Sequence, residues 1–393
     1  MEQEPEELLE VGSPRRVWRI AVGGLGLLVA GLIGFRLVSA SDHQPSPPPT
    51  EAISVAPAGP TWSMGTGSCG TEVQLPIVAS EPPRESTGLQ VLVGGERLRV
   101  VDFDSGRATA LATEVVKPGE YAAVLAGDPV TAYATTRSCD ETAHYAMLRI
   151  SVDRHVSLVR SLGPNESLLT DANHVWIVAF AADVEHPYAT ITPASGGKRV
   201  QLPLGFYPSA IVGTTVTGMM QSDPTGPPTA LALVDARTGR LLGRLDDQVS
   251  PLAAGAGQVV WTASCQEGPC LLHHRAISGG PIGKKILPNP VCCGVVSPDG
   301  KKVALVVQGA SAAQVAVLHF DTGLLDVVPD VELPAKSQPG LAFSPDGDWL
   351  VIALDAGSRT RLLAWRSDLP QPYETTALEG SVEDPPTLVV TSR

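Results

Sequence analysis

The chain has 393 residues, 43% of them hydrophobic and only 18% charged, with 28 Lys and Arg against 41 Asp and Glu for a formal charge of -13. Without a basic cluster beyond the N-terminus, that balance argues against a phosphate-backbone partner, so no nucleic acid is expected. Gly (39) and Pro (35) are abundant and aromatic residues make up 5%, a composition suited to many tight turns.

Residues 1–16 open on the acidic run MEQEPEELLE and are expected to stay in the cytoplasm. Next, Ile20 to Phe35 reads IAVGGLGLLVAGLIGF without a polar side chain, with Arg15, Arg16 and Arg19 before it and Arg36 behind. Val17, Trp18 and Leu37 to Ala40 extend the run toward the roughly 20 residues a bilayer requires. The pattern predicts one transmembrane helix over 17–40, a signal anchor. Its basic flank would lie inside and the C-terminal bulk outside the cytoplasm, in a single-pass cell-membrane protein. The small residues Val38-Ser39-Ala40 leave secretion after cleavage near residue 40 as the alternative, against which the long acidic start weighs. Residues 41–68 contain SPPPT and APAGPT and read as a Pro-rich extracytoplasmic linker.

From 69 to 393 the chain repeats itself. LALVDARTGRLLGRL, Leu231 to Leu245, reads as two short apolar strands about a turn at Thr238-Gly239. The same turn recurs at Ser105-Gly106, Ser195-Gly196, Ser278-Gly279 and Thr322-Gly323, with polar breaks at Asp153-Arg154-His155 and Ser367-Asp368 in the two remaining places. The period is about 40 to 50 residues, and a second kind of turn precedes six of these seven within the same unit. Ser-Pro-Asp-Gly at 297–300 and 344–347 is its clearest form, and Gly127-Asp128, Asp171 to Asn173, Gly213-Thr214 and Gly255 to Gly257 are weaker ones. Two turns per unit imply four strands. The expected fold is therefore all-β, a seven-bladed β-propeller of four-stranded blades. The last strand, Pro386 to Thr391, is expected to close the ring, with Val73 to Ala79 as its N-terminal counterpart.

Ser297, Pro298, Asp299 and Gly300, and Ser344, Pro345, Asp346 and Gly347, each followed by an apolar strand, resemble the WD40-like repeat of TolB-type propellers. Val101 to Gly106 and Val234 to Gly239 resemble the end of a WD repeat, and VLHFDTG at 317–323 is a looser copy with His319 at the Asp position. The resemblance is strongest over 291–355. It implies an exported binding or scaffolding module whose repeats carry no catalytic residues of their own. The chain differs from TolB in blade number, in lacking SPDG in most units, and in lacking a TolB-like domain ahead of the ring.

Six cysteines in an exported domain suggest disulfides. Cys139 and Cys265 follow second strands, Cys270 closes the latter's loop, and Cys292-Cys293 begins a first strand, so these five are expected on one rim. Cys69 is the natural partner of Cys139. Among Cys265, Cys270, Cys292 and Cys293 the connectivity stays open: strand alternation argues against Cys292 and Cys293 meeting one hairpin, and a vicinal bridge is an alternative. His273 and His274 lie near this cluster, but the spacing fits no zinc signature and adjacent strand residues face apart, so no metal is expected. Asp102, Asp104, Asp235 and Asp321 sit beside turns and are read as caps. Trp176, Trp261 and Trp349 are read as packing between blades.

No nucleophile elbow, zinc-protease helix motif or phosphate loop occurs, so no catalytic residue and no cofactor are expected. The function expected is a membrane-anchored propeller that binds a protein or envelope polymer through rim loops at 182–187, 222–228 and 266–269. The alternative is a propeller enzyme, lactonase-like or quinoprotein-like, with its site in the central channel. Asp235 to Gly239 fits the quinoprotein turn, but Leu242-Gly243 stands where its tryptophan belongs. The predicted first strands PSAIVG, PLAAG and GLAFS are small and apolar. A passive structural spacer is a third reading.

Overall fold

The computed structural model describes residues 86–392, apart from 95–97, 112–119, 127–130, 139–144, 152, 172–173, 182–187, 223–225, 264, 266–268, 310, 335–337, 356–358, 376–377 and 380–387. The expected cytoplasmic segment (1–16), transmembrane helix (17–40), linker (41–68), Cys69, Cys139 and strand over Val73 to Ala79 all lie outside the described residues. Among the described residues there is no helix long and apolar enough to cross a membrane.

Seven sheets follow one another around a ring. The first blade holds β1 (Leu89–Val93), β2 (Arg99–Asp102) and β3 (Arg107–Ala110). The second holds β4 (Glu120–Ala126), β5 (Thr131–Ser138), β6 (Tyr145–Ser151) and β7 (Val156–Leu162). The third holds β8 (Glu166–Thr170), β9 (Val175–Ala181), β10 (Tyr188–Pro193) and β11 (Val200–Gln201). In the fourth are β12 (Phe206–Val212), β13 (Thr215–Gln221), β14 (Pro228–Asp235) and β15 (Leu241–Asp246). The fifth has β16 (Val249–Gly255), β17 (Gln258–Ala263), β18 (Cys270–Ala276) and β19 (Gly283–Leu287). The sixth has β20 (Val291–Val296), β21 (Lys302–Gln308), β22 (Ala312–His319) and β23 (Leu325–Pro334). The seventh has β24 (Gly340–Phe343), β25 (Leu350–Asp355), β26 (Arg359–Trp365), β27 (Tyr373–Glu374) and the short β28 (Leu378–Glu379), and β29 (Leu388–Ser392) is the last strand. Within each blade successive strands pair antiparallel, and β28 adds a fifth strand beside β26.

The ring closes as expected at the C-terminal strand, whose partner among the described residues is β1; Val73 to Ala79 lies outside them. β29 pairs with β1, Val91 opposite Val390, giving the order β29-β1-β2-β3. Asp102 to Gly106 forms the turn between the third and fourth positions of this blade, so the N-terminal part supplies three strands and the C-terminus supplies the innermost. β29 accordingly lies against β24 and β4, the innermost strands on either side. Both edges of an open ring are thereby paired.

The packing follows from strand alternation. Each blade is covered on both faces, so its middle strands read as nearly continuous apolar runs whose odd and even residues face different neighbours. In β14, Ala230, Ala232 and Val234 join the cluster shared with the third blade, while Leu231 and Leu233 pack with Val249, Val259 and Trp261 of the fifth. Every neighbouring pair of blades shares one such cluster: seven apolar interfaces for seven blades. The tryptophans belong to these interfaces. Trp176, Trp261 and Trp349 are 5%, 0% and 5% exposed, too enclosed to serve as stacking platforms for a sugar.

Candidate binding face

Because the strands alternate in direction, first-to-second and third-to-fourth turns share one face of the ring. Second-to-third loops and blade-to-blade connections share the other. The turn face is closed by local chemistry. Asp235 Oδ1 accepts hydrogen bonds from Thr238 N and Thr238 Oγ1, each 2.8 Å, and from Arg237 N at 3.0 Å. The Thr238 hydroxyl, chiefly, holds this carboxyl below its ordinary range. Gly239 completes the turn at φ 71°, and a β-carbon there would run into the carbonyl oxygen of Gln201 on the preceding blade. Only glycine meets both demands.

The two Ser-Pro-Asp-Gly turns are built alike. Ser344, fully buried, takes Trp349 N onto its Oγ at 2.9 Å and donates to Asp346. Ser297 Oγ accepts Lys302 N at 2.9 Å and donates to Asp299 Oδ1 at 2.6 Å. Burial raises Asp299 and Asp346, but the serine hydroxyls and backbone donors outweigh it and leave both carboxyls lowered. These turns also join blades: Lys302 Nζ donates to Gly347 O at 2.8 Å, and a β-carbon at Gly300 would lie 2.7 Å from Ala256 O. Asp171 accepts from Gly213 N across another boundary. Burial likewise raises Asp104, but bonds from Ser86, Thr87 and Gly88 leave it lowered. Asp102 and Asp321 cap their own turns. Where a WD-like Asp is missing, His319 Nε2 sits 3.1 Å from Asp326 Oδ2 instead.

The loop face is organised differently. Of the expected contact loops at 182–187, 222–228 and 266–269, residues 182–187, 223–225 and 266–268 lie outside the described residues, but the stems of the latter two are tied. Cys265 and Cys270 are disulfide-bonded, with Cα atoms 5.2 Å apart, across the β17–β18 connection. Gln221 Nε2 donates to Gly226 O at 2.9 Å across the stem of the β13–β14 connection.

Cys292 and Cys293 begin β20 as thiols, and alternation does not separate them as the sequence argument held. The register shifts between Val291, opposite Val307, and Gly294, opposite Leu305. The extra residue is a β-bulge, which breaks the period of two. The two Sγ atoms stand 3.1 Å apart, and Gln308 Nε2 donates to Cys292 Sγ at 3.2 Å. The bond from Cys293 lowers the Cys292 thiol against the effect of burial, with Gln308 adding to it; the same pairing, with burial, pushes Cys293 up.

The histidines do face apart. His273, 7% exposed, lies with Nδ1 3.2 Å from Asp246 Oδ2 without hydrogen-bond geometry; that oxygen accepts Trp261 Nε1 at 3.2 Å, and this bond clasps the fourth blade to the fifth beside the His273 ring. Sequence reasoning missed this clasp, since no motif links the two positions. His274 stacks on Phe320 of the sixth blade, ring centroids 4.2 Å apart, and burial lowers its pKa. No group of three metal-ligating side chains occurs among the described residues. In the innermost strands β12, β16, β20 and β24 (FYPSAIV, VSPLAAG, VCCGVV and GLAF), Tyr207 and the two cysteines are the ionisable residues. Glu166 of β8 is engaged by Arg160 Nη2 at 2.6 Å and Gly163 N at 2.9 Å.

No family model matches the chain, and no curated protein does. Solved structures do. TolB from Acinetobacter baumannii aligns at 16% identity over 76% of this chain and 79% of its own, with a TM-score of 0.43. A candidate 6-phosphogluconolactonase from Bacteroides uniformis aligns at 12% identity over 77% and 99%, TM-score 0.50. An acylaminoacyl peptidase aligns at 9% identity over 76% of this chain and 52% of its own, TM-score 0.50. At such identities the likeness shows the β-propeller fold and nothing about activity.

Proposed function

We propose that the chain is a membrane-anchored, extracytoplasmic β-propeller that binds a partner protein or an envelope polymer through its loop face, without turnover. The observation that carries this reading is the distribution of polar groups. On the turn face the carboxylates of Asp104, Asp235, Asp299 and Asp346 are engaged by hydroxyl and backbone donors. Channel catalysis needs polar groups converging from several blades, whereas β16 and β24 contribute no ionisable residue, β12 contributes Tyr207 alone, and Glu166 of β8 is engaged by Arg160. The connections on the loop face share no such turn chemistry, and it is on loops of this kind that a rigid scaffold presents groups for recognition. The anchor rests on the apolar run from Ile20 to Phe35 and its arginine flanks.

A reporter fused after Arg393 is expected to be active only outside the cytoplasm, with the protein retained in the membrane pellet through a carbonate wash. Release at a size lacking 1–40 would replace the anchor with a cleaved signal. Metal-dependent hydrolysis of lactones or phosphoesters by the purified protein, or a copurifying quinone, would overturn the binding reading.

A further inference from the structure

We propose that Cys292 and Cys293 form a redox-active vicinal dithiol that closes to a disulfide by exchange with a small-molecule disulfide. Adjacent residues in a regular strand point to opposite faces and hold their sulfurs well apart. Here the bulge between Val291 and Gly294 cancels that separation, and the sulfurs meet at 3.1 Å. The pair is half-buried rather than sealed, so a reagent can reach it. It packs, with Leu341, against the cluster shared by the sixth and seventh blades, which includes Phe343 and Val306. The Cys265–Cys270 bridge already occupies its own hairpin, so among the described residues the adjacent thiols have only each other.

The two thiols are not equivalent. Gln308 Nε2 donates to Cys292 Sγ and so stabilises its thiolate, while Cys293 beside it is held protonated by its hydrogen bond to Cys292 and by burial. Cys292 is therefore the attacking sulfur. Its thiolate displaces one thiolate from the small disulfide, which leaves and takes up a proton, and a mixed disulfide forms on Cys292. With Cys292 Sγ taken into the mixed disulfide, the hydrogen bond to its thiolate that chiefly raised Cys293 is lost. Cys293 then loses its proton, attacks Cys292 Sγ and expels the second small thiol. Two protein thiols are oxidised by two electrons, and one small disulfide is reduced to two thiols.

The test uses the full-length protein, incubated with oxidised glutathione and digested with trypsin. The peptide carrying both cysteines, Ile286 to Lys301, is read by mass spectrometry. The expected product is that peptide lighter by two hydrogens and free of adduct. Cys293→Ser should instead trap a glutathione adduct on Cys292, and Cys292→Ser should react at least about tenfold more slowly at neutral pH. Gln308→Leu should slow alkylation of Cys292 in the Cys293→Ser background by several-fold while that of other thiols is unchanged. Stable adducts on both cysteines of the unaltered protein, a bridge from either to Cys265 or Cys270, or equal reactivity of the two single variants would overturn the proposal. Because reactivity is read in the unaltered protein as well as in variants, a variant that fails to fold leaves it open to refutation.

Discussion

The two faces of the ring are made by the same strands and obey different rules. On the turn face, two or three residues per turn do everything: an Asp or Ser bonds the local backbone, a Gly takes the positive φ, and the turn touches the next blade within one or two residues. Gly239 against Gln201 and Lys302 against Gly347 are instances. On the loop face the connections are held at their stems, by the Cys265–Cys270 bridge or by Gln221 on Gly226, and the residues between are released from any shared pattern. On the proposed reading the turn face is scaffold, and the loop face is where composition is free to follow a partner.

If that division holds, damage to the turn face should cost stability and little else. The largest effect is expected for Gly239→Ala, which combines positive-φ strain with a collision against backbone that cannot move aside. About 2–4 kcal/mol should be lost in chemical denaturation. Ser344→Ala should follow at about 1–3 kcal/mol, because Trp349 N would be left buried without its acceptor.

On the loop face, converting Cys265 and Cys270 to serine singly should cost about 2 kcal/mol, as expected for a short closed loop. The double variant should cost no more than either single one, since one bridge is lost once.

A pH titration separates the faces again. Asp104, Asp235, Asp299 and Asp346 are lowered in the folded state. A group depressed on folding adds stability above its unfolded value, and that stability is lost as pH falls through the folded one. The melting temperature should therefore fall below about pH 4. Changing these four to Asn should flatten that limb without altering behaviour between about pH 6 and 8. A limb that persists in the Asn variant would mean that other carboxylates carry it.

The turn face was legible in the sequence because its chemistry is local. Thr238-Gly239 and its relatives fixed the period, and all of the expected first-to-second and third-to-fourth turns within described residues fall between the strands assigned to them. What was not legible depends on contacts between distant residues. The closing partner of β29 is Leu89–Val93, and an apolar run at Val73 to Ala79 is equally good by composition. The clasp of Asp246 and Trp261 spans two blades and follows no short-range rule. Alternation misplaced Cys292 and Cys293, because a bulge inserts a residue with no signature in VCCGVV beyond the glycine that follows. Most of the residues expected to contact a partner stand in the least patterned part of the chain, where sequence reasoning has composition alone to work with.

The smallest stability change, and the largest functional one, should come from shortening the connections at 182–187, 222–228 and 266–269. Loop closure changes slowly with length, so unfolding should shift by no more than about 0.5 kcal/mol. The decisive measurement compares partner capture from solubilised membranes, read by mass spectrometry, for the full-length protein, this loop-shortened variant and Ser344→Ala. The account predicts that a partner held by the full-length protein is retained by Ser344→Ala below its unfolding temperature and lost by the loop-shortened variant, whose unfolding is unchanged. Equal capture by the loop-shortened variant, with loss in the turn-face variant while it is still folded, would contradict it.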